Sequence, residues 1–289
     1  MTKILSSVAE LDREIAALAG LPFGEWAARR WSFRFDEDTG RLPADPFSPE
    51  YRQVQLDLYK KITQKDHYDA WTSEPIPLLF EQNIDPYPYP YITRDAEHVG
   101  NYFIATGHIL HAVKAAKPSG SVLHYGCGTG FTTLPIAACG YDVAAVDINA
   151  DAIRIVDALA AARKLPIVTC CGDFSQVPDE AKRYDIVLFY ASFHHCWDFD
   201  TVLGSLHRRL PDGGAIIFAG EPVFADFPKP WGLRLDGGAL LEIRGKGWME
   251  LAFSESFFLE ALARAGFAVE KKDHQPLLDI FIARKSSKL

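Results

Sequence analysis

The residues best suited to chemistry stand at the ends of short apolar runs. Gly126, Gly128 and Gly130 alternate in VLHYGCGTG, where a β-branched run stops and FTTLPIAACG opens a helix. Without side chains the backbone bends sharply and admits a ligand closely, and the helix N-terminus that follows offers unpaired N–H groups to an anion such as a carboxylate. Asp147 closes the next apolar run, VAAVD, where an acidic side chain can accept both hydroxyls of a ribose. Asp173 follows a third run in CCGDF with Phe174 beside it, a pair suited to accept from an adenine amino group while an aromatic face packs nearby. His194 and His195 follow a fourth run, YDIVLFYASFHHCWD, and imidazole titrates near neutral pH without help.

Two other ligand loops fail on this spacing. The dinucleotide pattern G-x-G-x-x-G requires glycine where Phe131 stands, which counts against an NAD-dependent oxidoreductase, and no Gly-Lys-Ser or Gly-Lys-Thr follows for a Walker loop.

The elements that must position these residues alternate. VLHY, DVAAVDI, IVTCC, DIVLFYA and AIIFAG have strand length, and segments such as AIRIVDALAAARK between them carry helical spacing. That alternation predicts βαβ units, an α/β doubly wound (Rossmann-like) fold with a mostly parallel sheet covered by helices on both faces. SESFFLEALARAGF then reads as a last helix stopped at Gly266, followed by two strands. Ahead of the core, residues 8–19 read as an amphipathic helix, and SPEYRQVQLDLYKKI as a second helix opened by Ser48 and Pro49. DPYPYPYITRD forbids helix and marks a boundary. The expected organisation is an N-terminal helical and aromatic extension over residues 1–95, on the substrate side, and a ligand-binding domain over 96–289. Within that domain, residues 222–253 read as a hairpin lid insertion turning at Asp236-Gly237-Gly238.

Composition bounds the partners. Apolar residues make up 48% and charged residues 24% of 289, the balance of a globular chain with a buried core. With 30 basic against 38 acidic residues the net charge is −8, which argues against broad nucleic-acid binding. The longest uncharged stretch, 118–141, is too rich in glycine and proline to span a membrane, and the N-terminus lacks the apolar core of a signal peptide. The 5 cysteines include no CxxC pair and no metal-ligand set emerges, so a cytoplasmic location and no metal are expected. Ser287-Lys288-Leu289 spell a peroxisomal address that matters only in a eukaryote.

Taken together, VLHYGCGTG, AVDIN and GDF resemble the binding motifs of the class I S-adenosylmethionine-dependent methyltransferases, and the order of strands beyond them matches over roughly residues 96–285. The resemblance implies a seven-stranded sheet, S-adenosylmethionine (SAM) as cofactor, and methyl transfer to a small-molecule acceptor, with a sugar or other hydroxyl oxygen foremost. A SAM-binding module without catalysis is the alternative. By position, Gly126, Gly128 and Gly130 would line the methionine end together with Tyr125 and Cys127, the latter through its backbone. Asp147 would hold the ribose, Ile148 would flank adenine, Asp173 and Phe174 would meet its edge and face, and Tyr190 would border the site. His124 stands where the family usually carries an acid. HHCWD resembles a stretch in which a histidine is the base; counting from Asp185 favours His194, and alignment on Trp197 favours His195. Aromatic and cationic residues outside the core, Tyr87, Tyr89, Tyr91, Trp231, Arg234, Arg244, Lys246 and Trp248, are candidates for the acceptor, with lid packing or a homodimer contact as their other reading.

Overall fold

The computed structural model describes residues 2–36, 40, 42–76, 89–275 and 277–286. The chain divides into two compact units, one formed by Met1–Glu74 with Pro222–Phe258, the other by Pro75–Glu221 with Leu259–Leu289. Residues 222–258, expected as an insertion within the ligand-binding domain, therefore belong with the N-terminal residues, and the boundary expected near residue 95 falls after Glu74. Tyr87 and Ser287-Lys288-Leu289 lie outside the described residues.

In chain order, the first unit begins with β1 (Lys3–Leu5), α1 (Val8–Leu18), α2 (Phe23–Arg29), β2 (Phe33–Phe35), α3 (Pro49–Thr63) and α4 (Ala70–Ser73). The second carries α5 (Ala96–Ala116), β3 (Ser121–Tyr125), α6 (Thr133–Ala138), β4 (Asp142–Asp147), α7 (Ala150–Arg163), β5 (Ile167–Cys171), β6 (Ile186–Tyr190), α8 (Phe199–Arg209) and β7 (Ala215–Ala219). The chain then adds β8 (Val223–Phe224), β9 (Trp231–Leu233), α9 (Gly237–Lys246) and β10 (Leu251–Ser254) to the first unit. Helix α10 (Glu255–Arg264) leads back to β11 (Phe267–His274) and β12 (Leu278–Lys285).

Sheet order in the second unit is β11-β12-β7-β6-β3-β4-β5. β12 runs antiparallel to both neighbours, and the pairs from β7 to β5 are parallel. Every residue of β3 and β7 is buried, as a sheet covered on both faces requires. Val122, Ile186, Ile217 and Ile280 point into one cluster with Ala105, Ile109 and Val113 of α5 and Ile136 of α6. Their strand neighbours Leu123, Val187, Ile216 and Phe281 are equally buried on the other face. Local signals start the helices: Asp95 caps α5 by accepting from His98 N at 2.6 Å, and Asn149 caps α7 by accepting from Asp151 N at 2.9 Å. Strand order reverses at β3, which β4 flanks on one side and β6 on the other, so the loops after β3 and β6 border the crevice where such sheets bind ligands.

The first unit is built differently. A three-stranded sheet, β8-β10-β9, pairs β10 parallel with β8 and antiparallel with β9. The hairpin turn expected at Asp236-Gly237-Gly238 is instead the start of α9, because Asp236 accepts from Ala239 N at 3.1 Å as an N-cap. A Cβ on Gly237 would collide with the carbonyl of Arg30 and the ring of Phe33, so the glycine serves close packing rather than a turn. α3 braces this region through Tyr51, whose hydroxyl donates to Trp231 O at 2.8 Å, and Tyr59, whose hydroxyl donates to Gly247 O at 2.6 Å. Among the described residues no helix is long and apolar enough to cross a membrane.

Candidate functional site

The glycine loop leaves β3 through three residues with left-handed backbone: Gly126 (φ 64°), Gly128 (φ 51°) and Gly130 (φ 82°). They serve different ends. A Cβ on Gly126 would overlap the Ser192 side chain, so glycine lets the loop after β6 close against the strand end. A Cβ on Gly128 meets nothing within 4 Å, which marks open space above the loop. Asp147, at the end of β4, holds the loop in place: one carboxylate oxygen accepts from Gly128 N and the other from Asn149 N, both at 2.8 Å. Burial pushes its carboxyl up, against those two backbone bonds and the nearby His195, which pull it down. Gly172 N donates to Asp147 O at 2.9 Å and Cys127 N to Val146 O at 3.2 Å, so backbone bonds tie the ends of β3, β4 and β5 together. The Cys127 thiol is buried and pushed well up by that burial and by Asp147, which keeps it an inert thiol.

The expected adenine side is assembled around aromatic packing. Asp173 accepts from Ser175 N at 2.8 Å and Ser175 Oγ at 2.6 Å, which fixes the turn after β5. Phe174 sets its edge against Tyr125 and Phe189, with centroids 5.8 and 5.6 Å away. The Tyr125 side chain departs from its expected role. It is buried, stacks on Phe189, and donates its hydroxyl to Gln176 O at 2.8 Å, so it supports Phe174 from inside the core. Ile148 is half-buried, and its carbonyl accepts from Cys171 Sγ at 3.6 Å. Tyr190 is half-buried at the end of β6, beside Tyr102 at 6.0 Å, with its phenol pushed up by burial.

His194 and His195 lie in a short 3-10 turn, Phe193–His195, just past β6, their rings 4.2 Å apart. The residue that organises this turn is one the sequence reading passed over. Glu221 follows β7 and is buried. One oxygen accepts from Ser192 N and Phe193 N, both at 2.9 Å. The other accepts from His194 N at 3.1 Å and stands 2.8 Å from His194 Nδ1. Burial alone would raise this carboxyl, but the bonds from His194 and the backbone N–H groups outweigh it and hold it below the usual glutamate value. An ionised Glu221 can only accept, so Nδ1 of His194 carries a proton, and the neutral ring in that tautomer has its lone pair on Nε2. His195 is half-buried; His194 is the histidine that Glu221 orients through Nδ1, which favours it as the positioned imidazole. The only sequence signal for Glu221 was an acid closing the apolar run AIIFAGEP.

His124 is buried beneath the loop, two residues ahead of Gly126. Its Nδ1 stands 2.8 Å from Thr133 Oγ1, and burial pushes its pKa down to about 3, so the ring is neutral. Tyr89 and Tyr91 sit against the same loop. Thr129 Oγ1 donates to Tyr89 O at 2.9 Å, Tyr102 donates its hydroxyl to that of Tyr89 at 2.9 Å, and the Tyr91 ring meets Phe131 at 5.7 Å. Phe131, the residue that breaks the dinucleotide pattern, is therefore an aromatic platform for this segment.

The remaining acceptor candidates belong to the other unit, where each has a structural task. Trp231 is fully buried against Tyr51 and donates Nε1 to Pro46 O at 2.7 Å, which makes it core rather than a ligand-facing plane. Trp248 donates Nε1 to Glu74 O at 2.7 Å, with the Lys246 ammonium 4.1 Å from its ring centre. Arg234 grips Asp236 through two bonds of 3.0 Å. Arg244 grips Asp12 at 2.8 and 3.1 Å and donates to Thr63 O at 2.8 Å.

Comparison with known proteins agrees with this architecture. Residues 122–214 match a family described as a methyltransferase domain. Two curated relatives are malonyl-[acyl-carrier protein] O-methyltransferases. That of Priestia megaterium is 26% identical over 105 residues, covering 34% of this chain and 36% of the relative. That of Pseudescherichia vulneris is 28% identical over 110 residues, covering 38% and 42%. The match thus spans less than half of either relative. Among solved structures, magnesium protoporphyrin IX methyltransferase from Synechocystis superposes with a TM-score of 0.51 at 16% identity, over 72% of this chain and 91% of that one. The PH0226 protein from Pyrococcus horikoshii superposes with a TM-score of 0.51 at 19% identity, over 66% and 93%. These likenesses establish the Rossmann-like fold.

Proposed function

We propose that this chain, which carries a methyltransferase domain of the class I SAM-dependent kind, is an enzyme that methylates a hydroxyl oxygen of a small molecule with SAM as donor. The observation that carries the reading is an imidazole oriented by a buried carboxylate after β6, with a ligand-ready glycine loop after the neighbouring strand β3.

The residues fit the cofactor. The space a Cβ on Gly128 would leave free suits a ligand lying on the loop. Each Asp147 oxygen already accepts one N–H bond and retains a lone pair for a ribose hydroxyl. The loop N–H groups and the start of α6 suit the methionine carboxylate. Ile148 and Phe174 supply the apolar flanks for adenine, and Asp173 an acceptor at its edge. Bound SAM supplies a methyl group on a sulfonium, so the protein's share of the chemistry is alignment and removal of the acceptor's proton. His194 takes that proton on Nε2, because Glu221 holds the other nitrogen protonated. The ionised Glu221 then stabilises the imidazolium that results.

That both curated relatives are described as O-methyltransferases supports oxygen as the atom methylated. A sugar hydroxyl is the leading acceptor. The test is transfer from methyl-labelled SAM to a panel of sugars, nucleotide sugars and phenols, with His194→Ala and His195→Ala beside the native protein. The expected result is turnover with one acceptor class, lost in His194→Ala while S-adenosylhomocysteine (SAH) still binds. SAH binding with no turnover on any acceptor would assign the chain to the binding modules instead, and NADH binding without SAH binding would overturn the cofactor.

A further inference from the structure

Helix α5 is apolar on both sides. Ala105, Ile109, Ala112 and Val113 are buried in the cluster that covers the sheet. On the opposite side Phe103 is 56% exposed and Ile104 54%, and Ile92, in the turn before the helix, is 50% exposed. From His98 to Val113 the helix carries no Asp, Glu, Lys or Arg, so nothing charged marks this outer face for solvent. A surface helix normally turns a polar face to water, and one that is apolar all round is normally covered all round. The helix is not long and apolar enough to cross a membrane.

The outer face is also symmetric along the chain. Gly100 stands three residues before Phe103 and Gly107 three after Ile104, and at about 3.6 residues per turn both glycines fall on the line opposite the buried residues. Neither glycine has a left-handed backbone, and a Cβ on either would meet nothing within 4 Å. Glycine weakens a helix interior relative to alanine, and nothing within 4 Å inside this chain requires it at these two positions.

We propose that this face packs against the same face of α5 in a second copy of the chain, antiparallel, about a two-fold axis through the midpoint of Phe103 and Ile104. Gly100 then lies opposite Gly107 of the partner subunit, and Gly107 opposite the partner's Gly100, so the two backbones approach closely on both sides of the axis. Phe103 meets the partner's Phe103 on one flank and Ile104 meets the partner's Ile104 on the other, the self-contacts of an isologous interface. Exposed Glu97 comes level with exposed His111 of the partner subunit, an acceptor beside a donor, and symmetry repeats the pair. A parallel pairing would set Glu97 against the partner's Glu97 instead. Phe103 is already held edge-on by Phe131, with centroids 5.1 Å apart, and by Tyr91 at 6.4 Å, so it loses little freedom on association.

The test is sedimentation velocity on the full chain across a concentration series. Native protein should dimerise reversibly. Ile104→Glu sets two carboxylates together at the axis and should weaken association by about a hundredfold or more; the position is exposed, so circular dichroism should show the native fold. Glu97→Lys should weaken the dimer by about tenfold, and adding His111→Glu should restore it, because the swapped pair keeps its complementarity only in the antiparallel register. A native chain that stays monomeric throughout, or a dimer that withstands Ile104→Glu, would overturn the proposal. A Glu97→Lys dimer of native strength, or one that His111→Glu leaves weakened, would overturn the register. A monomer that floats with phosphatidylcholine vesicles would assign the face to a lipid surface and likewise overturn it.

Discussion

Replacing Glu221 by glutamine changes the molecule at one atom and separates the base mechanism from cofactor binding. The carbonyl oxygen of glutamine can keep the bonds from Ser192 N and Phe193 N, both 2.9 Å in the native protein. The amide nitrogen then stands where a carboxylate oxygen accepted from His194 N at 3.1 Å and from Nδ1 at 2.8 Å. Two donors now face one another at His194 N, and the amide can only donate to Nδ1. The imidazole must adopt the opposite tautomer, with the proton on Nε2, which removes the lone pair needed to deprotonate the acceptor. General-base catalysis contributes roughly 10²–10⁴-fold, so kcat should fall by about that factor. One stranded N–H and the exchange of a charged acceptor for a neutral one cost about 3 kcal/mol, or roughly 6–12 °C in melting temperature for a domain of this size. SAH affinity should stay within about twofold, because Asp147 and the glycine loop are untouched. The assays are kcat and KM for methyl transfer, thermal denaturation, and histidine nitrogen-15 spectra for the tautomer. Native kcat in a variant whose spectra show the proton moved to Nε2 would refute the base role of His194.

Further consequences follow from the loop and the buried acids. Gly126→Ala should destabilise the fold more than Gly128→Ala, since its Cβ overlaps Ser192 on top of the left-handed strain that both positions carry, whereas the Cβ at 128 points into open space and Gly128→Ala should lose SAH affinity; paired melting curves and titrations check the contrast. Asp147→Ala should weaken SAH binding by about tenfold or more through loss of ribose acceptors and of the bond that holds Gly128 N, read by calorimetry. Glu221 is held below its ordinary value of 4.5, so its contribution to stability is complete above that pH and is lost as pH falls below 4.5 through the depressed native value. Denaturant unfolding from neutral pH into that range should therefore show a steeper acid loss for native protein than for Glu221→Gln.

The placement of the proposed cofactor-binding residues could be read from the sequence because they sit at fixed offsets from strand ends. Gly126, Gly128 and Gly130 after β3, Asp147 closing β4 and Asp173 after β5 take their places from local chain geometry alone. Glu221 escaped because its partners, Ser192 to His194, lie on another strand's loop and meet it only when β6 and β7 pair. Tyr125 was placed at the ligand because strand alternation alone does not say which face bears it; the ring is buried and stacks on Phe189. The first unit was read less well for physical reasons. Asp-Gly-Gly is a hairpin signal and a helix start at once, and the competition was decided by Asp236 reaching Ala239 N and by the close approach of Gly237 to Arg30 and Phe33. Trp231 looked like a ligand-facing plane, but its indole N–H finds Pro46 O, which lets the whole ring be buried.

The central claim is that the glycine loop and Asp147 form a site for an S-adenosyl ligand within the second unit. Calorimetric titration of the full chain with SAH, with NADH as control, tests it most directly. One SAH per chain bound with micromolar affinity, weakened in Asp147→Ala and not matched by NADH, is the predicted result. A folded chain that takes up NADH, or takes up SAH equally well without Asp147, would contradict it.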